Sequence, residues 1–506
     1  MDAGEALLVL MLITGGAGIL IMLTPQRHAT VIRMIALVAG LAVLADSTYI
    51  FALYDYKEGG LQFDLQYPWI ENVGFLKENG ISLHLAVDGL ASALVLLNGL
   101  VTFAAVLVSW KIGYRNKDFF VLFMVLTTGV FGVYTSQDLF FWFFFYELAV
   151  LPMYLLIVVW GSTNKEYGAM KLTMMLVGGS VLVWVGIFAV FTEAGAGTFD
   201  LPVLREIEFS TGFATTFFPF FMIGCGVLAG LWPLHTWSPD GHVAAPTAVS
   251  MLHAGVLMKL GAFGIVRLGI ELLPEGTDFW MPVLLVLGAI AAVYGAFSAI
   301  HQTDLKFVVG YSSVSHMGFV LMGLGTMNTI GVSGAGLQMF SHGVMTALFF
   351  AMVGAIYDQA HTRDITAFGG IIRKMPLFVI FFGIAGLTSL GLPGLSGFVA
   401  EFHIFVGTVD AFPLFAALGV LSAALTAVYI LRLLGRAALG PLNMRWNDLT
   451  DLSRWEMLAG VTLIVPIVAM GVWPDPFVDR IASTVVDLPG VEAVAGSLAK
   501  LPVIRG

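Results

Sequence analysis

A polytopic bundle of membrane-spanning helices is the fold class the sequence predicts, and three observations predict it. Hydrophobic residues make up 58% of the 506-residue chain and charged residues only 11%, with a mean hydropathy of +0.93. That balance excludes both a soluble globular chain and a disordered one. The apolar residues gather into runs of roughly 20, the length that carries a helix across a bilayer core of about 30 Å. The runs are continuous rather than alternating, which excludes a lipid-facing barrel and leaves helices, which satisfy their own backbone hydrogen bonds in lipid.

In chain order the runs fall at about 6–24, 31–53, 83–110, 119–134, 138–160, 171–192, 216–235, 247–269, 281–300, 307–326, 332–357, 375–409, 411–435 and 456–473, which predicts about 14 crossings. Asp2 and Glu5 stand where a signal peptide carries lysine or arginine, so the first run is expected to remain as a helix. Asp138 is placed to cap the fifth run. The longest connections, 54–82, 193–215 and the tail after 474, are too short for an appended catalytic domain.

Two runs are flawed. The seventh leads into Gly230-Leu-Trp-Pro-Leu-His-Thr-Trp-Ser-Pro-Asp-Gly241, and the twelfth contains Gly391-Leu-Pro-Gly-Leu-Ser-Gly397. Proline and glycine at that density break helices, and broken backbone at membrane depth survives only inside protein or beside a water-filled cavity. The breaks lie five crossings apart, as two inverted five-helix repeats require, each with a broken helix; paired interrupted helices of this kind point to a transport site. The alternative is two ordinary kinks punctuating loops. The repeat reading divides the chain into N-terminal helices 1–118, a first repeat 119–269, a second repeat 270–437 and a C-terminal helix with its tail, 438–506.

Basic residues set the expected orientation. One face collects Arg27, Arg33, Lys111, Arg115, Lys117, Lys165, Lys171, Lys306, Arg363, Arg373, Lys374, Arg432, Arg436, Arg445 and Arg454. The other holds Lys57, Lys77, Arg205, Arg267, Arg480, Lys500 and Arg505. The richer face is expected to be cytoplasmic, with both termini outside. The net charge of −10 and the lack of any basic run argue against a nucleic-acid partner. The single cysteine, Cys225, cannot build a disulfide framework, a cysteine-ligated cluster or a haem attachment motif.

Ionisable side chains inside the apolar runs are the candidate site, because a charge at membrane depth costs several kcal/mol and persists for a function. Glu147 lies in Leu139–Trp160, LFFWFFFYELAVLPMYLLIVVW, with nothing in its own helix to neutralise it. A carboxyl at such depth is neutral without a cation beside it and ionised with one, the bistability a proton relay needs; the plainer reading is an acid paired with a neighbouring subunit. Lys259, in SMLHAGVLMKLG, has no helix end within easy reach, so a neighbouring charge can switch its proton affinity. His253, six residues earlier, is expected on the far side of that helix, facing another neighbour or bonded to a carbonyl. His316, in YSSVSHMG, and His342, in QMFSHG, sit on successive crossings among the hydroxyls of Tyr311, Ser312, Ser313, Ser315 and Ser341. Imidazole can pass a proton through either ring nitrogen. A lone buried histidine is more often a satisfied core residue, but two among hydroxyls favour a relay. Glu401 follows the break in the twelfth run, and His403 is expected to point away, toward the outer surface. Lys306 closes HQTDLK at the cytoplasmic start of the tenth run, either anchoring it or taking up protons. Asp88, His235, His242 and Asp138 are second-rank candidates.

These motifs, FFFYELAVLPMYLLIVVWG, WPLHTWSPDGHVAAPT, HAGVLMKLGAFGIVRL, DLKFVVGYSSVSHMGF, QMFSHG and GLPGLSGFVAEF, resemble those of the antiporter-like subunits of respiratory complex I, the proton-pumping NADH:quinone oxidoreductase. The likeness covers nearly the whole chain. Glu-Leu-Ala-Val-Leu-Pro-Met-Tyr, a glutamate in the twelfth crossing and the length near 500 are most like its subunit M, or chain 4. The resemblance implies fourteen helices in two inverted repeats and a central line of protonatable residues, at matching positions Glu147, Lys259, His316, His342 and Glu401. It also implies a lysine seven residues before the histidine of the His-Thr-Trp motif, paired with the fifth-helix glutamate. Here that position is Leu228, and 217–234 holds no basic residue.

The sequence thus predicts a proton-translocating subunit of a bacterial complex I in the inner (plasma) membrane. Redox chemistry occurs in other subunits, and no cofactor, NADH, flavin or iron–sulfur site is expected in this chain. Expected partners are other membrane subunits, including two antiporter-like neighbours, and lipids, with H⁺ as the transported species. Close alternatives are a subunit of a Mrp-type cation/proton antiporter or of a membrane-bound hydrogenase. More distant ones are a b-type cytochrome using His253, His316 and His342, and a passive scaffold.

Overall fold

The computed structural model describes residues 4–77 and 80–492. Asp2, Lys500 and Arg505, used above, and the end of the segment 438–506 lie outside them.

Thirteen described helices are long and apolar enough to cross a bilayer: Glu5–Leu23, Ala29–Leu53, Gly89–Lys111, Asn116–Thr135, Leu139–Trp160, Lys165–Ala194, Thr211–Ala229, Thr247–Ile270, Pro274–Ile300, Leu305–Gly325, Thr329–Ala360, Pro413–Ala438 and Arg454–Val472. The shorter apolar helices Pro376–Ser389 and Ser396–Val409 together supply the broken twelfth crossing, so every predicted run is matched. Polar caps fix several starts by accepting the backbone N–H groups that a first turn leaves unpaired. Asp138 accepts from Phe140 and Phe141, Asp304 from Lys306 and Phe307, and Asn328 from Gly331. Ser453 and Glu456 form a reciprocal capping box on the last crossing.

The most apolar stretches of the eighth and eleventh crossings are wholly buried, whereas the second and thirteenth are largely uncovered by the rest of the chain. Small residues bring backbones together at the centre. A Cβ on Gly318 of the tenth crossing would collide with the Ala292 backbone of the ninth, so only glycine fits.

Both expected breaks are present. The seventh crossing stops at Gly230, whose φ of +81° favours glycine, and resumes as the short helix Trp237–Ala244 before Pro246 starts the eighth. The twelfth parts between Ser389 and Ser396. Each repeat also carries the same latch. Asp138, at the start of the fifth crossing, forms an antiparallel bridge with Asp200 before the seventh, and Asp304, at the start of the tenth, does so with Asp364 before the twelfth. Crossings five and ten start at opposite ends of an alternating bundle, so the latches lie on opposite faces.

The structure corrects the sequence reading in three places outside the core. Connection 54–82 and the expected start of the third crossing are a two-stranded antiparallel hairpin, Gln62–Ile70 with Ile81–Val87. Asp88 is therefore not inside the third crossing but is its N-cap, accepting from the Ala91 N–H. The connection 193–215 contains a short helix, Leu201–Arg205, and the tail after 474 an amphipathic one, Asp475–Val485, which buries Phe477, Val478, Ile481 and Val485.

Candidate functional site

The eighth crossing is not a regular helix. Over His253–Leu257 its turns widen, with the Met258 N–H bonded five residues back to the His253 carbonyl. Wide turns of this kind concentrate at functional sites. This one leaves the Ala254 carbonyl open to the Lys259 ammonium, which donates to it. Lys259 is fully buried, and its Nζ also lies 2.8 Å from His342 Nδ1 on the eleventh crossing. Two bases at that distance share one proton: an ammonium donates to a neutral ring, or an imidazole N–H donates to a neutral amine.

From His342 the row continues to the tenth crossing, where the His316 ring lies with its centroid 5.3 Å away. His316 Nε2 is 2.9 Å from Ser389 Oγ, the last residue before the break in the twelfth crossing. Its Nδ1 is 3.1 Å from the Gln338 amide nitrogen and 3.4 Å from Glu401 Oε1. The amide donates to a bare Nδ1; turned over, it presents Oε1 to an Nδ1–H, so both proton positions find a partner. Glu401 is buried and belongs to the second half of the broken crossing. The break seats it. Gly391 has φ +72°, and a Cβ there would come within 2.8 Å of Glu401 Oε2. Hydroxyls line the same space: Tyr429 donates to Ser312 at 2.9 Å, and Ser341 and Ser396 lie 2.7 Å apart across the eleventh and twelfth crossings.

Lys306 is no surface anchor. It is 3% exposed and reaches inward to the C-terminal end of Trp237–Ala244, donating to the Ala245 carbonyl at 2.5 Å and to Ser250 Oγ at 3.3 Å. The last carbonyls of a helix have no partners within it and attract a cation. Beyond those carbonyls lie two rings that sequence reasoning left in second rank. His242 and His253 are fully buried, their centroids 4.5 Å apart, and neither ring nitrogen of either has a hydrogen-bond partner among the described residues. His253 stacks on Trp237 at 5.0 Å, so it faces a different neighbour and does not satisfy a carbonyl. Their sequence spacing gives no sign of this pairing, because it spans the turn at Ala245-Pro246 between two helices. His235 is buried against the edge of Tyr294, apart from the row.

Glu147 stands apart as well. It is half-buried, its Oε1 has no hydrogen-bond partner among the described residues, and the polar side chain facing it is Ser180 of the sixth crossing. No described cation pairs with it, and Leu228 is fully buried apolar surface. His403 is not near the outer surface. It is 2% exposed, with Nδ1 2.6 Å from the Val399 carbonyl and Nε2 without a partner among the described residues.

A second ionic cluster escaped the sequence reading. Arg267, also fully enclosed, lies 2.5 Å from Asp88 and 2.7 Å from Glu271, which in turn meets Arg205. The four-residue spacing of Arg267 and Glu271 on one helix was the available signal. On the hairpin, His84 lies 2.5 Å from Asp200 and 3.3 Å from Asp64. Burial alone would lower its pKa, but the hydrogen bond and charge of Asp200, with help from Asp64, hold it above the ordinary histidine value.

Residues 136–426, which carry both breaks and the whole row, match the family model described as NADH:quinone oxidoreductase/Mrp antiporter, TM. The chain belongs to this family. It is 36% identical over 499 residues to NAD(P)H-quinone oxidoreductase chain 4 1 of Synechococcus elongatus, covering 96% of this chain and 91% of that one. It is 36% identical over 447 residues to NAD(P)H-quinone oxidoreductase chain 4 of Gloeobacter violaceus, covering 86% and 83%. The fold superposes on a chain of respiratory complex I from Thermus thermophilus with bound NADH at a TM-score of 0.86 and 25% identity, over 95% of this chain and 98% of that one. A chain of the Mrp complex from Dietzia sp. shares the fold, with a TM-score of 0.85 at 17% identity over 96% and 98%. The chain-4 resemblance read from the motifs is therefore borne out.

Proposed function

We propose that this chain is a proton-translocating membrane subunit of an NAD(P)H:quinone oxidoreductase, with H⁺ moving along Glu147, Lys259, His342, His316 and Glu401 and Lys306 serving the cytoplasmic side. The observation that carries the reading is the close succession of Lys259, His342, His316 and Glu401, each beside the next inside an otherwise apolar bundle. Redox chemistry takes place in other subunits, and this chain needs no cofactor of its own. The energy arrives as charge moved beside a buried group, which shifts its proton affinity by several kcal/mol, against about 2.3 kcal/mol per charge per 100 mV of membrane potential. Water at the buried nitrogens without a partner among the described residues, both of His242, both of His253 and Nε2 of His342, bridges the gaps.

In this reading the chain lies in a bacterial inner membrane with both termini outside. It is divided into two inverted repeats, 119–269 and 270–437, and is flanked by two antiporter-like subunits. The paired latches Asp138–Asp200 and Asp304–Asp364 support the division. A Mrp-type antiporter has the same fold, but the 36% identity to chain-4 proteins favours the oxidoreductase. The b-type cytochrome reading is disfavoured by His316 and His342, whose rings touch each other and hydrogen-bond to protein partners. Replacing Lys259 or Glu401 by alanine is expected to impair pumping in membrane vesicles while the complex still assembles; an unchanged proton-to-electron ratio in both would reject the assignment.

A further inference from the structure

A cavity of about 460 Å³ opens where the third, fifth and eleventh crossings end and the eighth and tenth begin, all at one face of the bundle. Val108, Trp160 and Ala248 contribute to its walls, Tyr357 and Asp358 to its rim, and Lys306 reaches its floor. The cavity thus joins the surface to a buried amine already in contact with the carbonyls beside His242 and His253.

Charges around this opening form two ion pairs, with Asp358 at the rim and Lys306 at the floor left without one among the described residues. Lys111 is held by Glu456 at 2.9 Å, and Arg363 by Asp304 at 3.0 Å. Asp358, exposed at the rim, has no ion pair among the described residues, although Lys111, Glu456, His361 and Lys306 all lie within reach of its field. Among the charged groups acting on Lys306, which are Arg363, Asp304 and Asp358, it alone is uncompensated. A single unpaired negative charge at the mouth of a cavity walled only in part by apolar side chains still raises the local concentration of cations, hydronium included.

We propose that this cavity is the cytoplasmic port of the proton path and that Asp358 is its proton-collecting group. A proton taken from bulk water converts the Asp358 carboxylate to the acid. It then crosses the cavity through water to the neutral amine of Lys306, leaving the carboxylate free and an ammonium on the carbonyls of Ala245 and His242. The proposal rests on the proton-translocating reading above and on its orientation.

The test uses the assembled complex in inside-out vesicles, which expose the cytoplasmic face. Val108→Cys places a thiol in the cavity wall, and each preparation is compared before and after a membrane-impermeant cationic methanethiosulfonate. Cys225 is fully buried, so the parent chain supplies the unreactive background. Labelled V108C is expected to lose most of its pumping relative to the same vesicles unlabelled. D358N is expected to slow proton uptake about tenfold, the scale of electrostatic focusing, with recovery in D358E. A thiol that the reagent cannot reach from this face, full labelling without effect on pumping, or D358N equal to the parent would each overturn the proposal. Lys259→Ala runs alongside as a control on the parent reading. Its loss of pumping together with an inert D358N refutes the port alone, whereas normal pumping in K259A refutes the function itself.

Discussion

Glu147 and Glu401 are the acids of the two repeats, and the structure treats them differently. Glu401 is enclosed, seated by a helix break and within 3.4 Å of an imidazole. Glu147 lies on the flank of an intact helix, half-buried, with a hydroxyl as its facing polar group. The position from which the resemblance implies a lysine is Leu228. A buried carboxylate with a chargeable partner can be switched by that partner, whereas one without a partner has nothing within the chain to switch it. The row from Lys259 of the eighth crossing to Glu401 of the twelfth is therefore assembled from side chains of this chain, while Glu147 meets no described cation.

The largest effect that separates the two is expected from E401Q and E147Q measured side by side. The amide keeps the volume but cannot take up a proton, so E401Q is expected to lower the pumping rate about a hundredfold, the lower end of the scale for one well-placed proton-transfer group. E147Q is expected to cost clearly less. Equal losses would mean that Glu147 has a partner supplied by the assembly. Next comes G391A. The left-handed backbone and the 2.8 Å approach to Glu401 leave no room for a methyl group, and such strain costs about 1–3 kcal/mol. Its signature is a pumping loss like that of E401Q with assembly retained, and normal pumping would show that the break does not position the acid.

L228K sharpens the comparison from the other side. A lysine there either pairs with Glu147 or is buried alone, and an unpaired buried charge costs about 3–5 kcal/mol. If the pair forms, L228K/E147Q melts at a lower temperature than L228K; indistinguishable melting temperatures would mean that the two positions do not meet.

The smallest effect is expected on the hairpin. His84 has a raised pKa in the folded chain, so its pairing with Asp200 contributes fully below the unfolded value of about 6.5 and is lost as pH rises through the folded value. H84N is expected to lower thermal stability by up to about 1 kcal/mol in the acidic range and less at alkaline pH. A penalty independent of pH would assign His84 to packing alone.

Much of this was legible in the chain because lipid makes charge conspicuous. Glu147, Lys259, His316, His342 and Glu401 interrupt apolar runs, and glycine with proline marks both breaks. What the sequence hid was pairing across distance. Nothing at His242 and His253 shows that the turn between their helices folds one ring onto the other, and Asp88 meets Arg267 only in three dimensions. The hairpin did leave a trace in the alternation of Ile81-Ser-Leu-His-Leu85, but that segment runs straight into the third crossing and reads as part of it. The tail helix left one too, in the helical spacing of Phe477, Val478, Ile481 and Val485, a pattern too short to outweigh its polar surroundings.

The central claim is that Lys259, His342, His316 and Glu401 act as one conducting row, and a double-mutant cycle on pumping tests it most directly. Groups that act as a unit lose their function together, while independent groups lose it additively in free energy. Proton-pumping rates would be measured for K259M, H316A and the double variant in the same vesicles. The account predicts that the double variant is no slower than the worse single one; losses that multiply would mean that the two side chains serve separate paths.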